Sequence, residues 1–163
     1  MLIKLARTKG IESINIVRKQ DHADLLKKEF GVNHVFLQDS PTCMDDFKKV
    51  AGDLKPKVFF DYIGGGSPII VQIFESLQRG GVMTVFSCLS GQPTASINLL
   101  HMLINDKTVN SFVTYPWVCK ISDERRANAF KLVADDLAHN GGKIFGTKFT
   151  KEMPLENWKD ALN

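Results

Sequence analysis

Three short runs in this 163-residue sequence combine residue types that could hold a ligand: Arg18-Lys19-Gln20, Gly64-Gly65-Gly66, and Phe86-Ser87-Cys88-Leu89 followed by Ser90-Gly91. A guanidinium donates two parallel hydrogen bonds to phosphate oxygens, and a neighbouring ammonium adds a point charge. The basic run therefore suits a phosphate, with a solvated basic turn as the competing reading. Glycines let a backbone approach a ribose or phosphate closely and adopt positive φ. A simple tight turn explains that run equally well, and it is not a G-x-G-x-x-G. The third run offers small and polar groups directly after an apolar stretch, with the Cys88 thiol as a conceivable nucleophile. No neighbouring sequence feature would lower that thiol's pKa, so a small apolar role is the alternative. Of the four histidines, His22, His34 and His139 read as structural, and His101 is a possible general acid without a partner identifiable in the sequence.

The elements that must position these runs alternate. Leu2, Leu5 and Ala6 share one helical face and Gly10 is a stop, so the first ten residues read as a short amphipathic helix without an N-terminal cap residue. A basic presequence, acid-poor up to Glu12, is the rival reading. Ser13 to Val17 is β-rich, and Asp21 is placed to cap a helix through Ala23, Leu26 and Phe30 that ends at Gly31. His34 to Leu37 makes a second strand. Ser40-Pro41 supplies a cap and a proline before the helical spacing of Phe47, Val50, Ala51 and Leu54. Val58 to Ile63 is a third strand, Ser67-Pro68 opens the helix of Ile70, Ile73, Phe74 and Leu77, and Val82 to Phe86 is a fourth strand. Weak helical signal spans Leu99 to Leu103, and Val109 to Val118 is expected to be extended. Asp123 and Glu124 begin a long helix ended by Asn140-Gly141. Lys143 to Phe149 is a possible strand, and Pro154 to Trp158 opens a short helix. Regular alternation of this kind implies parallel strands joined by right-handed crossovers, an α/β doubly wound sheet. In such sheets ligands sit beyond the carboxyl ends of the strands, where all three runs fall. Acidic residues at the end of a second strand hold a ribose 2′-hydroxyl, whereas a 2′-phosphate needs a cation such as Arg18.

Composition narrows the classes. Apolar residues make up 44% and charged residues 24%, an ordinary mixture for a globular chain. No run reaches the roughly 18 apolar residues of a membrane span. A net charge of +3 argues against a nucleic-acid surface. Cys43, Cys88 and Cys119 are odd in number and never form a C-x-x-C pair, which supports neither a disulfide framework nor a zinc lobe.

The segments Ile14-Asn15-Ile16-Val17-Arg18, Phe30-Gly31-Val32-Asn33-His34-Val35, Ile63-Gly64-Gly65, Arg79-Gly80-Gly81-Val82-Met83 and Ser111-Phe112 resemble the cofactor domain of medium-chain dehydrogenase/reductases. The likeness is strongest to the zinc-free mitochondrial enoyl thioester reductases and quinone oxidoreductases, and it runs over most of the chain. It implies that Arg18, Lys19 and Gln20 hold the 2′-phosphate of NADPH, that Gly64 and Gly65 pass beside the cofactor, and that Phe86, Ser87, Cys88, Leu89, Phe112, Val113 and Thr114 line the nicotinamide side. The sequence departs from relatives that carry a Tyr-Gly-Gly-Met-like loop at residues 86–89 and a bulky aromatic at Val113.

In such enzymes a strand and a glycine-rich turn precede the helix that here begins at Met1. The resemblance thus implies a Rossmann-like sheet lacking its first strand and glycine-rich turn. Losing the central strand of the order 3-2-1-4-5-6 leaves two edges facing a gap about 10 Å wide, because neighbouring strands lie about 4.8 Å apart. Residues 1–142 are expected to be a partial dinucleotide-binding domain and residues 143–163 the return toward a substrate domain of a longer parent. The implied activity is NADPH-dependent reduction of an activated double bond in a thioester, or of a quinone, in a mitochondrial or cytoplasmic enzyme. By itself this chain would be inactive. A homodimer through the edge strand near residues 109–118 is expected, and neither nucleic acid nor a membrane is an expected partner. A non-catalytic nucleotide-binding or assembly module is the rival reading. A methyltransferase would want an acidic residue where Arg18 stands.

Overall fold

A computed structural model describes residues 1–65, 67–147 and 152–157. Contacts divide the chain into two compact units, one of residues 10–121 and one of residues 1–9 with 122–163.

The larger unit alternates β1 (Ile14–Val17), α2 (Gln20–Phe30), β2 (His34–Leu37), α3 (Cys43–Leu54), β3 (Val58–Asp61), α4 (Pro68–Ser76), β4 (Val82–Val85), α5 (Leu99–Ile104), β5 (Thr108–Ser111) and α6 (Thr114–Lys120); α1 (Leu2–Thr8) belongs to the smaller unit. All ladders are parallel. β1 pairs with β2, with Ile14 opposite His34, while β3, β4 and β5 form a second sheet in which Val58 faces Val82 and Val82 faces Thr108. The order β1-β2 and then β3-β4-β5 breaks between β1 and β3, the position of the central strand in the order 3-2-1-4-5-6. Apolar packing joins the sheets instead: Phe47, Ala51 and Ile73 lie buried against Ile14, Ile16 and Phe36 on one side and Phe59 on the other. A second cluster of Ile70, Phe74, Leu77 and Met83 fills the space between α4 and the three-stranded sheet.

Local chemistry sets most boundaries. Gly31 ends α2 in the left-handed region at φ 56°, with its N–H and that of Val32 donated to the carbonyls of Lys27 and Leu26. Pro68 occupies the first turn of α4 after Ser67. Several expectations fail for identifiable reasons. α2 is capped by Lys19, and Asp21 sits inside its first turn. Ser40 and Pro41 form a turn closed by Cys43 N–H on the Ser40 carbonyl, so α3 starts later, after Thr42. The stretch from Val109 to Val118 is extended only to Ser111 and becomes helical at Thr114. Pro116 lies in the first turn of that helix, where a missing N–H costs nothing.

The smaller unit holds α1 and α7 (Asp123–His139). Ser122 caps α7 by accepting from the Arg125 N–H. The buried Asp136 carboxylate accepts from the N–H groups of Ile144, at 3.0 Å, and Phe145, at 2.8 Å. Residues 141–145 therefore wind into turns and not into the expected strand, whose last residues, 148 and 149, lie outside the described set. A single turn at residues 155–157 follows, and Trp158 lies outside the described residues.

Candidate functional site

The carboxyl ends of β1 to β4 converge on a recess of about 230 Å³ lined by Arg18, Gln38, Ile63, Ser67, Leu89, Ser90 and Gln92. Parallel strands in register end at the same level, so the residue after β1, Arg18, comes level with the residue after β2, Gln38. Among the described residues no hydrogen bond or ion pair engages the Arg18 guanidinium, which is exposed. Ser67 makes no side-chain capping bond to α4, so its hydroxyl remains available on the recess wall. Recesses for whole drug-sized ligands run from about 300 to 1,000 Å³, so this one matches a fragment such as a ribose phosphate.

The wall formed by the loops after β3 and β4 is tightly built. Asp61, 2% exposed, accepts from the N–H groups of Ile63 at 2.9 Å and Gly64 at 3.0 Å. This aspartate had no role in the sequence reading; its signal was the Asp-x-x-Gly spacing of a turn in which a side chain replaces a backbone acceptor. Ser90 donates its hydroxyl to the Gly64 carbonyl at 2.6 Å and its N–H to that of Ile63 at 2.9 Å. Gly64 and Gly65 have φ of 69° and 46°. A Cβ on Gly64 would meet the backbone of Ser87 and Cys88, and one on Gly65 the carbonyl of Gln92. The close approach that these glycines permit on the Cβ side is to the neighbouring loop.

The other expected residues divide. Of the basic run, Arg18 alone lines the recess. Lys19 is exposed as the α2 cap, and Gln20 donates to Asp24 at 2.7 Å along its own helix and lines a separate recess of about 180 Å³. Leu89 joins Arg18. Cys88 donates its thiol to the Gln92 carbonyl at 3.3 Å and so helps to close the loop, which leaves the nucleophile reading without a base. Phe86 stacks on Tyr62 with ring centres 5.1 Å apart, tilts against Phe60 at 5.6 Å, and meets Phe112 at 5.4 Å; Phe112 continues to Trp117 at 5.8 Å. Phe86 and Phe112 are therefore joined in an aromatic ladder across the strand ends, with burial raising the Tyr62 phenol above its usual pKa. Val113 and Thr114 are exposed at the start of α6. Ser90, part of the third run, also lines the recess, whereas Gln38, Ser67 and Gln92 were missed, because tertiary structure alone brings them beside Arg18. Among the described residues no cluster of His, Cys, Asp or Glu could hold a metal ion.

A doubly wound parallel α/β unit with a polar recess at its strand ends is a nucleotide-binding architecture. Residues 1–135 match the zinc-binding dehydrogenase family model, and the chain belongs to that family. It is 26% identical over 168 aligned residues to the mitochondrial enoyl-[acyl-carrier-protein] reductase of Arabidopsis thaliana, covering 99% of this chain and 42% of that protein. The Candida tropicalis mitochondrial 2-enoyl thioester reductase Etr1p/Etr2p heterodimer superposes with a TM-score of 0.71 at 19% identity, over 98% of this chain and 46% of that one. The Etr1p complex with NADP and crotonyl-CoA also gives 0.71 at 19% identity, over 98% and 46%. The chain thus spans less than half the length of the curated relatives it matches.

Proposed function

We propose that this chain is the cofactor-binding portion of an NADPH-dependent reductase that acts on an activated double bond, a 2-enoyl thioester. The observation that carries the reading is the Arg18 guanidinium, without a protein partner among the described residues, on the wall of a phosphate-sized recess at the strand ends. Arg18 holds the 2′-phosphate through its planar fork. Gln38 and Ser67 supply uncharged donors around it, and among the described residues no carboxylate lines the recess to repel the anion. NADPH, when bound, supplies a hydride to the β-carbon of the substrate. Lys19 adds a positive field at the mouth, and the ladder of Tyr62, Phe86 and Phe112 gives an aromatic surface at the ends of β3 to β5. Residues 1–142 form the cofactor portion and residues 143–163 lead toward a substrate domain. The names of the relatives support a thioester substrate and a mitochondrial setting. The free edge of β5 pairs two copies.

Calorimetric titration of the chain with NADPH and NADH tests the cofactor assignment. NADPH is expected to bind at least about tenfold tighter, a difference of about 1.4 kcal/mol, and Arg18→Glu to erase that preference without lowering the melting temperature. Equal affinity for both nucleotides, or a preference unchanged in Arg18→Glu, would overturn the assignment. Crotonyl thioester is expected to be left unreduced by the chain alone, and NADPH oxidation with it would show that no further domain is needed.

A further inference from the structure

Helix α5 is six residues long, contains no buried residue, and exposes Leu99, Leu100, Leu103 and Ile104 by 74%, 64%, 77% and 62%. Apolar burial therefore contributes little to its attachment, which comes mainly from Met102, packed on the Phe74 cluster, and from polar contacts. The chief polar contact is unusual. Lys107, 5% exposed, reaches back to the C-terminal end of α4 and donates its ammonium to the carbonyls of Phe74 at 3.2 Å and Glu75 at 2.6 Å. Its third neighbour is Nε2 of His101 on α5, at 3.0 Å.

An ammonium has three protons and no lone pair, so two carbonyls and one imidazole nitrogen saturate it only if that nitrogen is an acceptor. We propose that the His101–Lys107 pair is an acid-released latch that holds α5 on the fold. The latch is closed when His101 is neutral, with its proton on Nδ1. Protonation places a second N–H and a second positive charge against the ammonium, and the half-buried imidazole is the partner free to leave. Lys107 is fixed more firmly, because it satisfies terminal carbonyls of α4 and lies 5.8 Å from the centre of the Phe74 ring. The charged groups around the pair do not replace the lost bond: Glu75, from α4, acts on the ammonium through space, and Asp106 precedes Lys107 in a left-handed turn at φ 51°. On α5 itself, Asn105 is occupied in donating to the His101 carbonyl at 2.8 Å. Opening leaves one ammonium proton unsatisfied and frees a strongly apolar helix next to the β5 edge.

Hydrogen exchange of the whole chain, corrected for intrinsic rates, tests the latch, with α7 as internal reference. Amides of residues 101–105 are expected to exchange roughly tenfold faster, relative to α7, at pH 5 than at pH 8, the effect of leaving one buried donor unpaired. His101→Gln, whose side-chain carbonyl accepts at every pH, is expected to abolish that difference. A ratio independent of pH in the parent, or an equal pH effect in His101→Gln, would overturn the latch. The unmutated chain gives a second measurement: nitrogen-15 shifts of His101 at pH 8 are expected to report the Nδ1–H tautomer, and an Nε2–H tautomer would overturn the proposal independently.

Discussion

Arg18, Gly65 and Ser90 illustrate how unequally single residues announce themselves. Arg18 follows a β-branched strand, and a cation at such a point is conspicuous whatever the tertiary structure. Ser90 is ordinary in sequence, and its importance comes from the 2.6 Å bond to the Gly64 carbonyl, 26 residues away. Gly65 was legible as a glycine but not in its purpose, because what lies against it, the Gln92 carbonyl, is fixed by another loop. Its φ of 46° and that carbonyl make Gly65→Ala a severe change. Backbone strain of this kind costs about 1–3 kcal/mol, so the variant is expected to melt several degrees lower and to lose NADPH affinity as the recess wall shifts, both measurable in one calorimetric series.

Local chemistry marked some boundaries well but misplaced the starts of α2 and α3, and elements decided by context were missed. β4 is a largely apolar run and α4 begins with Ser67-Pro68, so both stood out. α6 did not, because Phe112 to Val118 is aromatic and β-branched in composition; the chain nevertheless turns after β5, and Pro116 is tolerated only because it falls in the first helical turn. The ladder also tells which β5 groups remain outward. Thr108 and Phe112 donate their N–H groups to Gly81 and Val85 on the β4 side, so Ser111, out of step with them, points its N–H to the free edge. Ser111→Pro is thus expected to leave the β4 ladder intact while blocking edge pairing. Sedimentation should then show dimers for the parent and monomers for the variant. Lys107 gives an electrostatic counterpart. Burial lowers its pKa from the usual lysine value, against a smaller opposing effect of Glu75. The unfolded chain therefore holds more protons than the folded one between the lowered pKa and the ordinary value of about 10.4, and stability from this group rises with pH across that window. Lys107→Met is expected to flatten that rise, as judged by denaturant midpoints of both proteins at pH 8 and pH 10.

At the scale of the molecule, the larger unit is two parallel sheets united by the Phe47, Ala51 and Ile73 cluster, with no hydrogen-bonded ladder between β1 and β3 among the described residues. Alternating periodicity was sufficient to foresee parallel strands with helical crossovers, nearly the sole solution to that pattern, whereas the break between β1 and β3 was implied only by the family resemblance. The polar recess was foreseeable in location, at the strand ends, but not in its lining. The bonds from Ser90 to Gly64 and Ile63 have one more implication. Because they rivet the β3 and β4 loops into a single rim, a nucleotide phosphate bound at Arg18 as proposed would meet a wall already in shape. Little ordering entropy is then lost at that wall on capture, and encounter there is governed by diffusion and charge more than by a slow rearrangement of those two loops.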